Sequence, residues 1–370
     1  MRATDTLFAD ILTDSTTRRI TADLFVGLDR VAEGIECSSI DLVWDGSQQV
    51  LCSGKVELVY QDDWGRSIAP EKLTDWLAPF GAWLDLKYEI TMGDFSRSVR
   101  LGRLVVQKPR DVRRQRMVLA GRVFYPGEKI TVDVADAFSI TMRERFVTPG
   151  QPPTAATAWG ELARLTGWPI LRNVPDVDVP QTVTYQENRL DAVFDLGDVL
   201  GGSPYLRADN TLTIRPFTPG AVVATLHDGP EGQIVSHTVS EWDADQVYNQ
   251  VVVRITDGDM VTAIADARIT EGRLRYGLAS QGAWGRIPYY VSSEYLKSVD
   301  QARAYAQSRL AIVSQQKTTI ASIEMLPDPR LEVGDVVRLE ASVDGSVTVG
   351  RIQKIALSTT GPMKVEAKLL

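Results

Sequence analysis

Hydrophobic and polar residues alternate with a period of two along most of the first 150 positions. Arg19 to Gly27 places Ile20, Ala22, Leu24 and Val26 on one parity, the pattern of a half-buried strand. Further strands are predicted over Ile35–Trp44, Val50–Tyr60, Ala82–Thr91, Val99–Gln107, Met117–Phe124 and Lys129–Val134. Between them lie Asp45-Gly46, Met92-Gly93-Asp94 and Tyr125-Pro126-Gly127-Glu128, residues suited to turns. Short strands at this spacing predict a barrel or a sandwich. Trp44, Trp64, Trp76 and Trp83 read as core or interface filling.

At Pro149-Gly150-Gln151-Pro152-Pro153 the pattern breaks, and a linker is expected there. Beyond it Ala155, Ala158, Trp159, Leu162 and Leu165 recur at helical spacing until Gly167 and Pro169. A second helix is predicted from Asn188 to Leu200, ending at Gly201-Gly202, followed by a hairpin around Ala208-Asp209-Asn210. Strands return at Val247–Ile255 and Ala263–Ile269. A helix from Ser298 to Gln315 opens with Ser298 and Gln301 at capping-box spacing. Strands close the chain at Thr318–Met325, Val336–Leu339, Val347–Ile355 and Met363–Leu370, with turns at Asp344-Gly345 and Gly361-Pro362. The expected division is a β domain over 1–150, a small α+β domain over 151–235, and a β domain over 236–370 carrying the helix 298–315. The fold class is mainly β with a small α+β part, two β-barrel or split-barrel domains flanking the insert.

Composition narrows the chemistry. The 370 residues carry a net charge of −8, which opposes a duplex-binding role that needs a basic face. A local exception is Lys108-Pro109-Arg110-Asp111-Val112-Arg113-Arg114-Gln115-Arg116, which reads as a solvated strand connection or as a patch against an acidic partner or phosphate. No apolar run is long enough to span a bilayer. The first residues, Met1-Arg2-Ala3-Thr4-Asp5, lack a secretory pattern, which predicts folding in a cytoplasm or departure from it by a route other than standard secretion. Cys37 and Cys52 fit neither a disulfide framework nor a zinc motif and read as small residues on neighbouring strands. His227 and His237 are the only histidines, too few for most triads and metal sites. Gly201-Gly202 closes a helix where a phosphate loop would open one. Asp195-Leu196-Gly197-Asp198 reads as a solvated helix face, and Thr256-Asp257-Gly258-Asp259 as a hairpin turn lacking the remaining calcium-loop oxygens. No catalytic residue, metal ligand or cofactor-binding residue is assigned, and no cofactor is expected.

The stretch Leu326-Pro327-Asp328-Pro329-Arg330-Leu331-Glu332-Val333-Gly334-Asp335-Val336-Val337-Arg338-Leu339, led by a helix and a strand, resembles the "PxLxxGDxVxL" turn of phage tail-tip and baseplate hub proteins. That family also includes the spike proteins of type VI secretion. Val247-Tyr248-Asn249-Gln250-Val251-Val252-Val253 resembles its "N-x-V-x-V" strand, and Leu200 to Ile214 its helix and "D-G-x-L-x-I" hairpin, with Asn210 in place of the usual Gly. The likeness spans roughly 155–370; residues 1–150 are similar only by class, to minor tail proteins of long-tailed phages of actinobacteria. The resemblance implies a structural role without enzymatic activity: a homotrimer whose paired barrels form a pseudo-sixfold ring at the tail tip of the virion, assembled in the host cytoplasm. Its implied partners are further copies of itself, the distal tail protein, the tape measure protein, and tip fibre or receptor-binding proteins. Phage DNA would pass through the lumen without sequence-specific binding.

Pro329, Leu331, Gly334, Asp335 and Val336 form the expected structural turn. Gly334 is expected to supply a backbone angle that a Cβ penalises, and Asp335 to bond nearby amides. Two rival readings stand beside the hub: the hexameric distal tail protein, and a carbohydrate-binding adhesin using Trp242, Trp284, Tyr289 and Tyr290. A glycan or peptidoglycan hydrolase is a third, and its domain would be expected behind the final strand at Leu370.

Overall fold

Alternating burial closes the first strands on one another. The computed structural model describes residues 1–2, 12, 16–60, 67–229, 232–239, 247–257, 260–314, 320–342 and 345–370, except the side chains of 114–116, 122, 124–127, 239 and 257. Trp64, Trp242 and the Gly258-Asp259 and Asp344 parts of two expected turns lie outside these residues. Strands β1 (Thr17–Val26), β2 (Asp29–Asp45), β3 (Cys52–Tyr60), β4 (Ala82–Met92), β5 (Phe95–Leu119) and β6 (Arg122–Ala135) pair in the order β1-β4-β5-β6-β3-β2. A further β1–β2 pairing joins the ends, so six antiparallel strands form a closed barrel with no free edge around the ring. Leu24, Leu42, Val56, Leu58, Leu84, Leu86 and Ile130 fill it.

Six more strands repeat this arrangement beside it: β9 (Val222–His227), β10 (Ile234–Val239), β14 (Ile320–Met325), β15 (Val336–Glu340), β16 (Val347–Ser358) and β17 (Met363–Leu369). Their order is β9-β15-β16-β17-β14-β10, and an isolated bridge between Asp228 and Ile234 links the two ends. The barrels share a seam. β16 pairs with β15 over Val347–Arg351 and with β2 over Lys354–Ser358, and a register shift between Ile352 and Lys354 marks the handover. A single apolar cluster runs through both barrels. The chain is 50% strand and 13% helix, mainly β with a small α+β part.

Two smaller units stand on the barrels. The first holds α1 (Phe138–Thr141), α2 (Ala158–Thr166), α3 (Arg189–Val199) and the hairpin β7 (Gly202–Leu206) and β8 (Leu212–Pro216), packed around Trp159, Leu162, Tyr185, Val193 and Leu196. Thr157 and Asn188 cap α2 and α3, and Gly167 ends α2 in the left-handed region. Gly197 lets the hairpin approach α3 closely, since a Cβ there would meet Pro204 Cδ at 2.3 Å. Asn210 takes φ +62° in the hairpin turn. The second unit is a three-stranded sheet of β11 (Gln250–Asp257), β12 (Met260–Arg268) and β13 (Pro288–Ser293), covered by α4 (Val299–Val313). Ser298 caps α4 by accepting from the Gln301 amide at 3.2 Å, while the Gln301 side chain accepts from the Lys297 amide at 2.9 Å.

Several elements differ from the expected layout. Tyr125-Pro126-Gly127-Glu128 is not a turn: it lies within β6, and the chain reverses at Ala120 and Gly121, with φ +50° and +78°. Two central residues at positive φ give the hairpin turn whose twist matches the strands. Pro126 is tolerated because it falls in the register shift between Gln115↔Gly127 and Met117↔Phe124. The basic segment 108–116 is therefore strand: beyond Val105, where β4 leaves β5, it runs along the part of β6 that also pairs with β3, and from Gln115 it enters a two-stranded ribbon beyond the ring, since β3 meets β6 only from Glu128. The Pro149–Pro153 stretch is tied down, with Gly150 and Tyr185 exchanging backbone bonds of 3.0 and 2.8 Å. β9 ends before residue 235 and β10 runs across it, yet both belong to the second barrel, and β11 to β13 form a sheet apart from it.

Where the first barrel meets the insert, Asp136 accepts from the amides of Cys52 and Phe138, each at 2.9 Å. Burial pushes this carboxyl up to about 6, against those hydrogen bonds. The folded chain thus holds the proton more tightly than the unfolded one, so this group's contribution falls as pH rises from ~4 to ~6 and is level above that. Urea midpoints of the parent and Asp136→Asn across that range should show the parent's relative stability dropping as pH rises, by at most ~3 kcal/mol. A constant difference would contradict this.

Candidate assembly site

The turn from Pro329 to Val336 is where both barrels, the insert and the start of the chain meet. Asp328 opens it, receiving Arg330 at 2.9 and 2.8 Å through both carboxylate oxygens. Pro329 and Leu331 are buried, Leu331 within the shared barrel core. Gly334 has φ +97°, and its amide donates to Ile352 O at 2.8 Å. Asp335 accepts from the Glu332 amide at 2.8 Å and from the amino group of Met1 at 2.6 Å. Burial raises the Asp335 carboxyl, and the nearby ammonium opposes that rise. Val336 then enters β15 between Arg351 and Val222.

The residues that dock on this turn are the ones sequence reasoning missed. Arg2 donates to Pro329 O and Leu331 O at 2.7 and 2.9 Å, and its guanidinium lies 5.1 Å from the Trp44 ring of the first barrel. Arg215, from the insert hairpin, donates to Val333 O at 3.2 Å and stacks 5.5 Å from the Tyr205 ring. Arg351 donates to Phe217 O and Pro216 O at 2.7 and 2.6 Å and to Gly334 O at 3.3 Å. Burial first, then Arg351, draws Arg215 down to about 10, and burial lowers Arg351. Nothing in periodicity marks such arginines. A second contact between insert and barrel is made by Trp83 and Trp168, edge to face at 6.1 Å.

The remaining nominated residues fall into structural places. Asn249 is fully buried, donating to Leu274 O and Gly285 O at 3.1 and 2.9 Å and accepting from the Ile287 amide at 3.0 Å, so it clamps the loop between β12 and β13. Cys37 and Cys52 are buried free thiols, and burial pushes Cys37 up to about 12. Asp195 faces solvent beside a cleft of about 640 Å³ that Asp198 lines. Crowding by protein, then by Asp198, Asp191 and Glu294, pushes Asp195 up to about 6. Tyr289 packs against Tyr248 at 5.2 Å, Tyr290 lies under Arg254 at 4.9 Å, and Trp284 is half-buried. Among the described residues no cluster of three His, Cys, Asp or Glu side chains could hold a metal ion.

No protein-family model matches the chain, and no curated protein sequence matches it. Among solved structures, it is similar to a tail protein from Neisseria meningitidis MC58, at TM-score 0.58 and 12% identity, covering 95% of this chain and 96% of that one. It is also similar to the 43 kDa tail protein of prophage MuSo2 from Shewanella oneidensis, at TM-score 0.55 and 12% identity, covering 95% and 98%. A chain of the Francisella PdpA-VgrG complex matches at TM-score 0.51 and 9% identity, over 95% of this chain and 52% of that one. Over nearly its whole length the chain has the fold of these tail proteins.

At Gly334 an added Cβ would lie 2.2 Å from Arg215 Cδ, besides taking a left-handed backbone angle. Gly334→Ala should lower stability by ~1–3 kcal/mol in chemical denaturation. In an Arg215→Ala background the cost should shrink without vanishing, because the backbone angle remains. Equal costs in both backgrounds would show that the close contact plays no part.

Proposed function

We propose that this chain is a structural subunit of a phage tail, the hub at its tip, acting as a homotrimer. The observation that carries the reading is the pair of six-stranded barrels joined edge to edge through β2 and β16. Three copies supply six barrels, the number that would continue a hexameric tube, and the likeness to tail proteins covers both barrels and the units on them. In this reading the hub meets the distal tail protein, the tape measure protein and tip fibre or receptor-binding proteins in the virion, and DNA passes through without being held. The chain is a scaffold and not a catalyst. Zymography on cell-wall glycan and peptide substrates should be blank; activity lost on one carboxylate substitution would overturn that.

The ribbon of β5 and β6 is the surface this reading assigns to the subunit boundary. Val118 and Val123 pair on one face and Met117 and Leu119 lie on the other, all four exposed. A lone two-stranded ribbon is marginal in water, and apolar residues on both faces suit insertion between bodies. The occupant is a second copy of this chain. Residues 108–116 carry five basic side chains and one acidic, +4, which leaves −12 on the remainder of a chain at −8.

Sedimentation of the purified chain should give three times 40.8 kDa. Val118→Asp with Leu119→Asp should lower that mass while leaving circular dichroism unchanged. A hexamer would favour the distal tail protein, and a monomer in solution and in virions would refute the hub. A trimer indifferent to the ribbon substitutions would remove the ribbon alone.

A further inference from the structure

Beside the Gly334 turn lies a cleft of about 570 Å³ whose lining, among the described residues, includes Arg215, Arg309, Arg351 and Lys368 and no carboxylate. The four cations come from three parts of the fold: Arg215 from the insert, Arg309 from α4, and Arg351 and Lys368 from the paired strands β16 and β17. None of them makes an ion pair within 4 Å among the described residues, although the chain is acidic overall. Gathering four like charges in a partly enclosed space costs free energy unless an opposite charge joins them.

Their existing bonds leave donors free. Arg351 spends three N–H groups on the carbonyls of Phe217, Pro216 and Gly334, and Arg215 one on Val333 O, of the five that each guanidinium carries. Arg309 Nε is buried without a hydrogen-bond partner. Ser203 and Gln353 add neutral polar groups to the same lining. Two members feel this crowding: Arg215 is drawn down to about 10 by burial and then Arg351, and Lys368 is lowered by burial and then Arg351, whereas at Arg309 burial is outweighed by Tyr289, Tyr305 and Asp198, which raise it.

We infer that this cleft is a binding site for a multiply charged oxyanion of the phosphate class. Guanidinium forks satisfy two oxygens of such an anion at once, while the ammonium supplies a point charge. A carboxylate brings one charge and two oxygens, too little for four cations. The bound anion joins the insert, α4 and the second barrel, so it stabilises their arrangement as a ligand of the folded state alone.

The test uses the full chain and varies two cations that hold no backbone carbonyl, Arg309→Gln and Lys368→Gln. Inorganic phosphate and tripolyphosphate are titrated against chloride at fixed ionic strength and pH, with thermal unfolding and calorimetry as readouts. Both phosphates should raise the parent's Tm, tripolyphosphate at lower concentration, and the double variant should bind tripolyphosphate at least about tenfold more weakly. Without anion the variant should be as stable as the parent or more so, since like charges have been removed. That direction separates a binding role from a structural one. Equal effects of phosphate and chloride, unchanged affinity in the variant, binding of an acidic peptide but not of phosphate, or a variant destabilised without anion would each overturn the site.

Discussion

Every strand has two edges whose amides and carbonyls need partners, and the molecule is organised by how β2 and β16 meet that demand together. β2 gives one edge to β3, and divides the other between β1 and β16. β16 gives one edge to β17 and divides the other between β15 and β2. The two barrels therefore share backbone hydrogen bonds as well as apolar side chains. Their relative orientation is fixed by a ladder, which rotates far less readily than two surfaces in contact. The same seam brings the Asp45-Gly46 turn against Val333 and Gln353, and Gly46 donates to Gln353 O at 2.8 Å. The insert can then touch both barrels at one place.

That place is held by cations on carbonyls. Arg2, Arg215 and Arg351 each donate to backbone oxygens at the turn or at the end of the hairpin, which satisfies the acceptors that an irregular segment leaves unpaired. Such bonds fix direction as well as distance, because a guanidinium is planar. An apolar contact of the same area would hold the insert without specifying its angle. The unneutralised charge near Arg351 is the cost of this arrangement, and the oxyanion site relieves it.

How far the chain could be read beforehand follows from which interactions are local. The cap at Ser298, the glycine stop at Gly167 and the positive φ of Asn210 depend on a few neighbouring residues, and each was visible in the sequence. The β5–β6 ribbon was not. Pro126-Gly127 is a stronger turn signal than Ala120-Gly121, yet pairing across the ribbon decided the reversal and put a non-glycine residue at positive φ. The alternation of Val251, Val253 and Ile255 announced a strand and said nothing of which sheet it joins, since sheet membership is a long-range property. Of the turn 329–336, the glycine and aspartate were read through the motif resemblance. The arginines that dock on it come from positions 2, 215 and 351, and no local pattern links them.

The low identity to the tail proteins follows from the same physics. What the two barrels require is a set of paired strands, alternating burial, a handover between neighbours, and turns that reverse at the right length. Many side chains meet those conditions, because a core accepts any apolar set of suitable volume and the ladder bonds are made by backbone. Resemblance then persists over 95% of the chain in three dimensions while identity falls to 12%. Positions with little freedom are few: a glycine at φ +97° facing Arg215, or the buried Asn249 that spends its whole amide on a loop. Surface residues such as those of the ribbon are bound by no such rule within the monomer. The apolar residues on both faces of the exposed ribbon are what the proposed contact between copies would bury, and closed symmetry would let every copy present the same surface to its neighbour.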